Sequence, residues 1–385
     1  MTQGDIQYIL NNSEFIKKHL TDDVVKLLFR HSADSELKLL IGQIAARQKI
    51  RKKLPEWYLN FDLVFLSGLS LEQSSSEETA RLKSKLISGN HLLDITGGMG
   101  IDTCYLSRSF DQTTYVEMQP ELYEVSRHNL QTLHPQIQTQ LGDGIAYLEK
   151  SAADVVYADP YRRDSKNRKM VSLSDCTPDV TTILPLLTQS GRTAVIKLSP
   201  MLDISIALKE LTLVVEIWII SVRNDCKELL FVLNERAKDP ITIKTFNLTK
   251  EGIQEFIFKR EHHKLPSLSE PRKYLYEPNS SILKSAGQDK LAEVFELSKL
   301  HPQSHIFTSD TYHPQFPGRK FQTTEILPPF DKKLKKARLN VISRNFHQKA
   351  DEIEKKLKLL SSENEFLIAT KTLNEKAIFI TTKLL

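Results

Sequence analysis

Three glycines, Gly97, Gly98 and Gly100, fall within four residues directly behind an apolar run, in a chain with only 13 glycines among its 385 residues. The stretch LLDITGGMGID reads as a buried strand turning into a helix, with side chains removed where something is to lie against the backbone. The residues around it limit the fold to one class. HLLDIT is a strand, GIDTCYLSRSF a helix, TTYVEM a strand, and PELYEVSRHNLQTL a helix opened by proline. IQTQLGD, the short helix GIAYLEK and the strand ADVVYADP continue the alternation. After a basic loop, PDVTTILPLLTQ reads as helical, with Pro185 kinking or shortening it. RTAVIKLSP is a strand and ISIALKEL a helix, and LVVEIWIISV and ELLFVLNER are close enough to pair as an antiparallel end. Strands that are continuous apolar runs are buried on both faces. The alternation therefore means an α/β fold, an open and mostly parallel sheet with helices on both sides. Such sheets bind ligands beyond the carboxyl ends of their strands, at the point where the strand order reverses.

The flanks have different rhythms. Residues 1–70 show apolar residues three and four apart and read as an N-terminal helical domain ahead of the α/β domain at 71–237. Beyond 238 an α+β region follows. ITIKTF is a strand and EGIQEFIFKREHH a helix, and the proline-containing KLPSLSEPRKYLYEPNSSIL leads to the helix DKLAEVFELSKL and the strand HIFTS. FQTTEIL, the helix DEIEKKLKLL and the runs NEFLIATKTL and KAIFITTKL close the chain, the last two forming a hairpin around NEK. This region divides at 238–314 and 315–385. The chain has no 18-residue apolar run and no signal-peptide pattern, which reads as a soluble cytoplasmic protein with no membrane partner. Cys104, Cys176 and Cys226 are an odd, widely spaced set without a CxxC pair, which argues against a disulfide framework and a metal site. The net charge of +5 is modest, but it gathers in RQKIRKK (47–53), RRDSKNRK (162–169) and KKLKKAR (332–338). Such clusters either converge into a phosphate-binding face or remain solvated helix faces and loops.

Three cofactors suit a glycine turn of this kind. A nucleotide-phosphate loop needs a GK[ST] ending, and this chain has GMGID. A dinucleotide fingerprint needs glycine three places after Gly100, where Thr103 stands. S-adenosylmethionine has no phosphate, a zwitterionic amino-acid end and a cationic sulfonium. Asp94 is placed for its ammonium. Glu117, ending the next strand, is placed for both ribose hydroxyls, because one carboxylate accepts two hydrogen bonds. Asp143, in LGDG, is placed for the adenine amino group. Each acid alone is also explained as a turn former; the ordered set is harder to explain that way.

This order resembles the class I S-adenosylmethionine-dependent methyltransferases over about residues 71–236. The resemblance implies a seven-stranded, mostly parallel Rossmann-like sheet, with Asp94, Thr96, Gly97, Gly98, Gly100, Glu117 and Asp143 on the cofactor. It also implies that the segment before the first strand, with Gln73 and Ser75 to Thr79, covers the methionine end. The run VVYADPYRRD resembles the (D/N)-P-P-(Y/F) motif of methyltransferases acting on exocyclic amines of nucleobases. Such an amine is a poor nucleophile because its lone pair is delocalised into the ring. A carboxylate and a proline carbonyl each accept one N–H and aim the lone pair at the methyl, and an aromatic ring stacks on the base. By that resemblance Asp159, Pro160 and Tyr161 are the catalytic residues. The second proline is missing, so Tyr161 comes one place early, and Arg162 and Arg163 are candidates for the flanking phosphates. Lys197, in VIKLSP, is a further phosphate candidate or a snorkelling strand-end lysine. Pyrimidine C5 methylation would need a cysteine nucleophile. Cys176 has no Pro-Cys signature and reads better as a packed thiol.

The closing segment, with FPGRKFQ, ARLNVISRNF and the final hairpin, resembles a THUMP-like domain, and the region with YLYEPNSSILKSAG and HPQSHIFTSD resembles the small ferredoxin-like module that precedes it in a bacterial group. True THUMP domains bind RNA, so the resemblance implies an RNA partner, docked by Arg319, Lys320, the 332–338 cluster and Arg344 beside Phe316, Phe321 and Phe346. The competing reading makes those phenylalanines core and the basic residues solvated. The expectation is a methyltransferase acting on a base nitrogen of tRNA or rRNA. A non-catalytic RNA-binding protein of the same fold, and a methyltransferase acting on a protein or small molecule, stand as alternatives.

Overall fold

The computed structural model describes residues 1–31, 34–66, 68–162 and 173–385. In chain order the first strands are β1 (Gly89–Asp94), β2 (Phe110–Glu117), β3 (Gln138–Leu141), β4 (Val155–Ala158), the short β5 (Tyr161–Arg162) and β6 (Cys176–Thr177), and β7 (Thr193–Leu198). β8 (Val214–Val222), β9 (Asp225–Leu233), β10 (Thr242–Leu248) and β11 (Ile253–Lys259) follow. β5 and β6 form a ladder of their own, and the others make a nine-stranded sheet in the order β11-β10-β8-β9-β7-β4-β1-β2-β3. β1, β2, β3, β4 and β7 run parallel, and β9 joins β7 antiparallel. Seven strands were expected. The extra pair is the β10–β11 hairpin, whose second strand occupies the segment EGIQEFIFK read as a helix. The β11 face alternates between exposed Ile253, Glu255 and Ile257 and more covered Gln254, Phe256 and Phe258, a period of two that competes with the helical spacing.

The chain divides into two compact units, Met1–Glu216 with Leu229–Asp239, and Ile217–Glu228 with Pro240–Leu385. In the first unit the parallel strands are buried along their apolar runs, as at Leu92 and Leu93 and throughout Val155–Ala158. Helices begin where the sequence supplies caps. Asp34 accepts from Glu36 and Leu37 N–H ahead of Ser35–Ile50, Ser76 caps Glu77–Leu86, and proline opens Pro120–Leu133. Pro185 likewise sits in the first turn of the short helix Leu184–Thr188 and starts it, where a kink in a longer helix was expected. The N-terminal helices belong to this same unit. Ile6, Ile9, Leu40 and Ile44 share a core with Val125 of the Pro120–Leu133 helix, and the Asn129 amide makes both hydrogen bonds to the Val64 backbone.

The second unit carries β12 (Tyr274–Pro278), β13 (Ser298–Lys299), β14 (Phe307–Ser309), β15 (Gly318–Leu327), β16 (Asn340–Ser343), β17 (Glu365–Lys371) and β18 (Ala377–Leu384). They form a seven-stranded sheet in the order β13-β14-β12-β15-β18-β17-β16, with β17 and β18 as the expected terminal hairpin. The Ala350–Leu357 helix buries Ile353 and Leu357 with Leu367 and Phe379 of those strands. Among the described residues no helix is long and apolar enough to cross a membrane.

Candidate functional site

The chain runs outward from β1 through β2 to β3, then returns to place β4 on the other flank of β1. This reversal opens a crevice above the carboxyl ends of β1 and β4. A cleft of about 590 Å³ lies there. Asp94, Thr96, Gly97, Gly98 and Gly100 of the glycine turn line it, together with Glu117, Asp143, Asp159, Tyr161, Lys197 and Gln73.

The turn is shaped by contacts that only glycine permits. A Cβ on Gly97 would stand 2.1 Å from the ring of buried Tyr115. That phenol donates to Gly98 O at 2.6 Å, and Ser126 Oγ donates to the same carbonyl at 2.8 Å, so the loop is held from beneath. Gly100 takes φ +73° at the start of the Ile101–Leu106 helix, a conformation that penalises any side chain.

The strand-end acids differ in environment. Asp94 is buried, accepting from Thr103 Oγ1 at 2.5 Å and from Thr96 N–H at 3.0 Å. Burial pushes its carboxyl up to about 7, the two threonines opposing the shift. Glu117 is buried with its oxygens divided between two backbone donors, Gly98 N–H at 2.9 Å and Gln119 N–H at 2.8 Å, so each oxygen keeps a lone pair for a ligand. Asp143 is exposed and caps the Gly144–Lys150 helix by accepting from Ile145 N–H.

Beyond these acids the cleft holds a network that the sequence did not reveal. Asp102, in the first turn of the Ile101–Leu106 helix, is buried. Lys83 Nζ lies 2.7 Å away, and Ser75 Oγ, Tyr157 OH and Lys197 Nζ reach its Oδ2 at 2.7, 2.8 and 3.1 Å. Burial works against its ionisation, but Lys197 and Lys83 more than offset it and hold the carboxyl well below the usual range. Lys83 had every mark of a solvated helix lysine, and nothing local distinguishes it. The sole sequence signal for Asp102 is its place two residues after Gly100. Lys197, a candidate for RNA phosphate, has carboxylate partners here: it is buried and lies 2.6 Å from Asp159 Oδ2.

At the end of β4, Asp159 N–H donates to Thr96 Oγ1 at 2.6 Å, tying the two strand ends together. Burial raises the Asp159 carboxyl and Lys197 opposes the rise. Pro160 is buried, and half-exposed Tyr161 lines the cleft from β5. Arg163 lies outside the described residues, as does the side chain of Arg162. Cys176 is buried on β6 and is not part of the cleft lining.

In the second unit Arg319 and Arg344 both grip the carboxylate of Glu277, which is 2 % exposed. Both line a separate cavity of about 560 Å³ with Phe346, His347 and Lys349. Lys320 is half-buried. Phe316 and Phe321, expected beside a basic face, are core residues packed under the sheet. The 47–53 cluster is similarly depleted. Arg47 is buried and donates to the carbonyls of Tyr58, Asn60 and Leu63, because a guanidinium is the one side chain able to close three open carbonyls at once.

A crevice at a strand-order reversal, a glycine turn after β1 and acids ending β1 to β3 define a methyltransferase-type domain. The comparisons agree. The model of the protein-L-isoaspartate(D-aspartate) O-methyltransferase family matches residues 74–159, a ferredoxin-like domain matches 274–317, and a THUMP domain-like family matches 318–383. A protein of Porphyromonas gingivalis W83, solved by crystallography and assigned as a methyltransferase, is 28% identical, with a TM-score of 0.88 over 100% of this chain and 99% of that one. Atu636 of Agrobacterium tumefaciens, predicted to be an O-methyltransferase, is 16% identical over 43% of this chain and 85% of its own, at a TM-score of 0.33. No curated protein matches the sequence significantly. The chain thus has the class I methyltransferase fold, preceded by helices and followed by ferredoxin-like and THUMP-like domains.

Proposed function

We propose that the protein transfers a methyl group from S-adenosylmethionine to an exocyclic amine of a base in tRNA or rRNA. The reading is carried by one observation: the acids ending β1, β2 and β3 and the Asp159–Tyr161 segment after β4 line a single cleft. The cleft suits this cofactor better than a nucleotide. Its glycine turn is surrounded by Asp94, Glu117 and Asp143, which repel phosphate and attract an ammonium and hydroxyls.

In this reading Glu117 holds the ribose hydroxyls, Asp94 the ammonium and Asp143 the adenine amino group, and Gln73 closes the methionine end. The cofactor supplies an electrophilic methyl on a sulfonium. Asp159 accepts one N–H of the substrate amine and turns its lone pair toward that methyl, while buried Pro160 fixes the turn and Tyr161 lies against the base. The nitrogen lone pair becomes the N–C bond, the C–S pair stays on sulfur, and one N–H proton leaves the product ammonium for water at the cleft mouth. The THUMP-like domain supports RNA as the large substrate.

The test is Asp159→Ala, assayed with radiolabelled cofactor and unmodified tRNA and rRNA transcripts. Methyl transfer should fall by about 10²-fold or more, since the orienting hydrogen bond is lost, while S-adenosylhomocysteine binding stays within about threefold. Full activity in this variant would remove the amine-orienting role. A second reading, transfer to a protein or small molecule, is favoured by the number of basic residues committed to internal partners, Arg47, Lys197, Arg319 and Arg344 among them. The same labelled cofactor incubated with bulk protein in place of RNA separates the two.

A further inference from the structure

Lys197 has a partner too many for a purely structural lysine. Asp102 is already served without it, by Lys83 at 2.7 Å and by the hydroxyls of Ser75 and Tyr157. Lys197 contacts Asp102 at 3.1 Å, yet its shorter ion pair, 2.6 Å, is with Asp159 on the neighbouring strand end. The parallel register that sets Ala158 opposite Ile196 places the next residues, Asp159 and Lys197, side by side. Four side chains from four elements thus alternate in charge, Lys83, Asp102, Lys197 and Asp159, and sum to zero. The inner three are nearly sealed, with side chains 0, 9 and 8% exposed, and Asp159 alone opens to the cleft at 38%. Its Oδ2 faces Lys197, whereas Oδ1 carries no hydrogen bond among the described residues.

Resting on the amine-methylation reading above, we propose that Lys197 is a positioning residue for that step: it holds Asp159 ionised and in one rotamer, with Oδ1 turned to the cleft as the acceptor for the substrate N–H. The chemistry requires this protonation state. A protonated Asp159 would donate to the amine nitrogen and engage the lone pair that must reach the methyl. Burial favours that unwanted form. The charges facing Asp159 are Lys197 and Lys83, which oppose protonation, and Asp102 and Asp94, which promote it; Lys197 is the one in contact.

Lys197→Gln keeps a donor of similar length and removes the charge; Lys197→Arg restores the charge. Methyl transfer to unmodified tRNA and rRNA transcripts is measured for both from pH 5 to 9. In Lys197→Gln the acid limb of kcat/KM should rise by about one to three pH units, as expected when a contacting opposite charge is lost. The deficit should therefore exceed about tenfold near pH 6.5 and shrink to about threefold by pH 9. Lys197→Arg should return the limb to its original position. A deficit of the same size at every pH would overturn the proposal, since a merely structural lysine predicts that. Should Lys197→Gln fail to fold, the wild-type Lys197 15Nζ resonance decides: it must show an inflection at the pH of the acid limb, and its absence refutes the pairing. A wild-type protein inactive on RNA at every pH would sink the amine-methylation reading instead, and the 15Nζ titration would still report on the ion pair.

Discussion

Replacing Glu117 tests the cofactor assignment most directly. In the free protein its two oxygens each accept one backbone N–H, from Gly98 at 2.9 Å and Gln119 at 2.8 Å, which fixes the carboxylate plane across the cleft. If the remaining lone pairs take the two ribose hydroxyls, Glu117→Ala removes two charge-assisted hydrogen bonds worth about 1.5–3 kcal/mol each. Water entering the enlarged cleft recovers part of that for the hydroxyls and for the two freed N–H groups. A net loss of about 3 kcal/mol remains, a dissociation constant weakened about 10²-fold. Glu117→Gln is the sharper variant. Its amide nitrogen must face one of the two backbone donors, so it should bind almost as poorly as alanine despite its near-identical shape. Isothermal titration with S-adenosylhomocysteine measures both, and 5′-methylthioadenosine, which keeps the ribose but lacks the amino-acid end, should lose the same factor. Binding within twofold of wild type in either variant would refute the reasoning.

Other consequences follow from single contacts. Gly97→Ala drives a methyl into the buried Tyr115 ring and should cost about 1–3 kcal/mol by overpacking, whereas Gly42→Ala, with nothing within 4 Å of the new carbon in a helix, should stabilise by about 0.5–1 kcal/mol. Urea denaturation of the pair checks it, and shifts of the same sign would contradict the geometry. Asp94, raised to about 7 in the free protein, must be ionised to take an ammonium. Its ionised fraction grows with pH, so S-adenosylhomocysteine should bind about 16-fold more tightly at pH 7 than at pH 5.5, with proton release on binding. Asp94→Asn should flatten that profile, and a flat wild-type profile would remove Asp94 from the ammonium. In the second unit, removing Arg319 and Arg344 together strands the buried Glu277 carboxylate and should cost about 3–5 kcal/mol. Adding Glu277→Met should recover most of it by thermal melting, and no recovery would mean the arginines act elsewhere.

What could be read in the linear sequence was whatever has a local cause. Strand and helix alternation, the capping residues, the glycine turn and the acids ending β1 to β3 each follow from a few neighbouring residues. Because parallel strands all present their carboxyl ends to one side, reading those acids in order was enough to bring Asp94, Glu117, Asp143 and Asp159 to one cleft. The C-terminal hairpin was legible for the same reason. The errors fall where two local patterns compete, as in Ile253–Lys259, whose apolar spacing fits a helix until β10 offers an antiparallel partner.

Only the tertiary structure decided which charges are used up internally. Ser75 and Lys197 are 122 residues apart and meet at 2.9 Å, and Lys83 and Asp102 complete the group from two helices. Arg319 and Arg344 spend their guanidinium groups on Glu277, and Arg47 on three carbonyls. A charged residue looks the same in a sequence whether it faces water or a buried partner. Burial is a property of the assembled elements, and desolvation acts only once they have packed together.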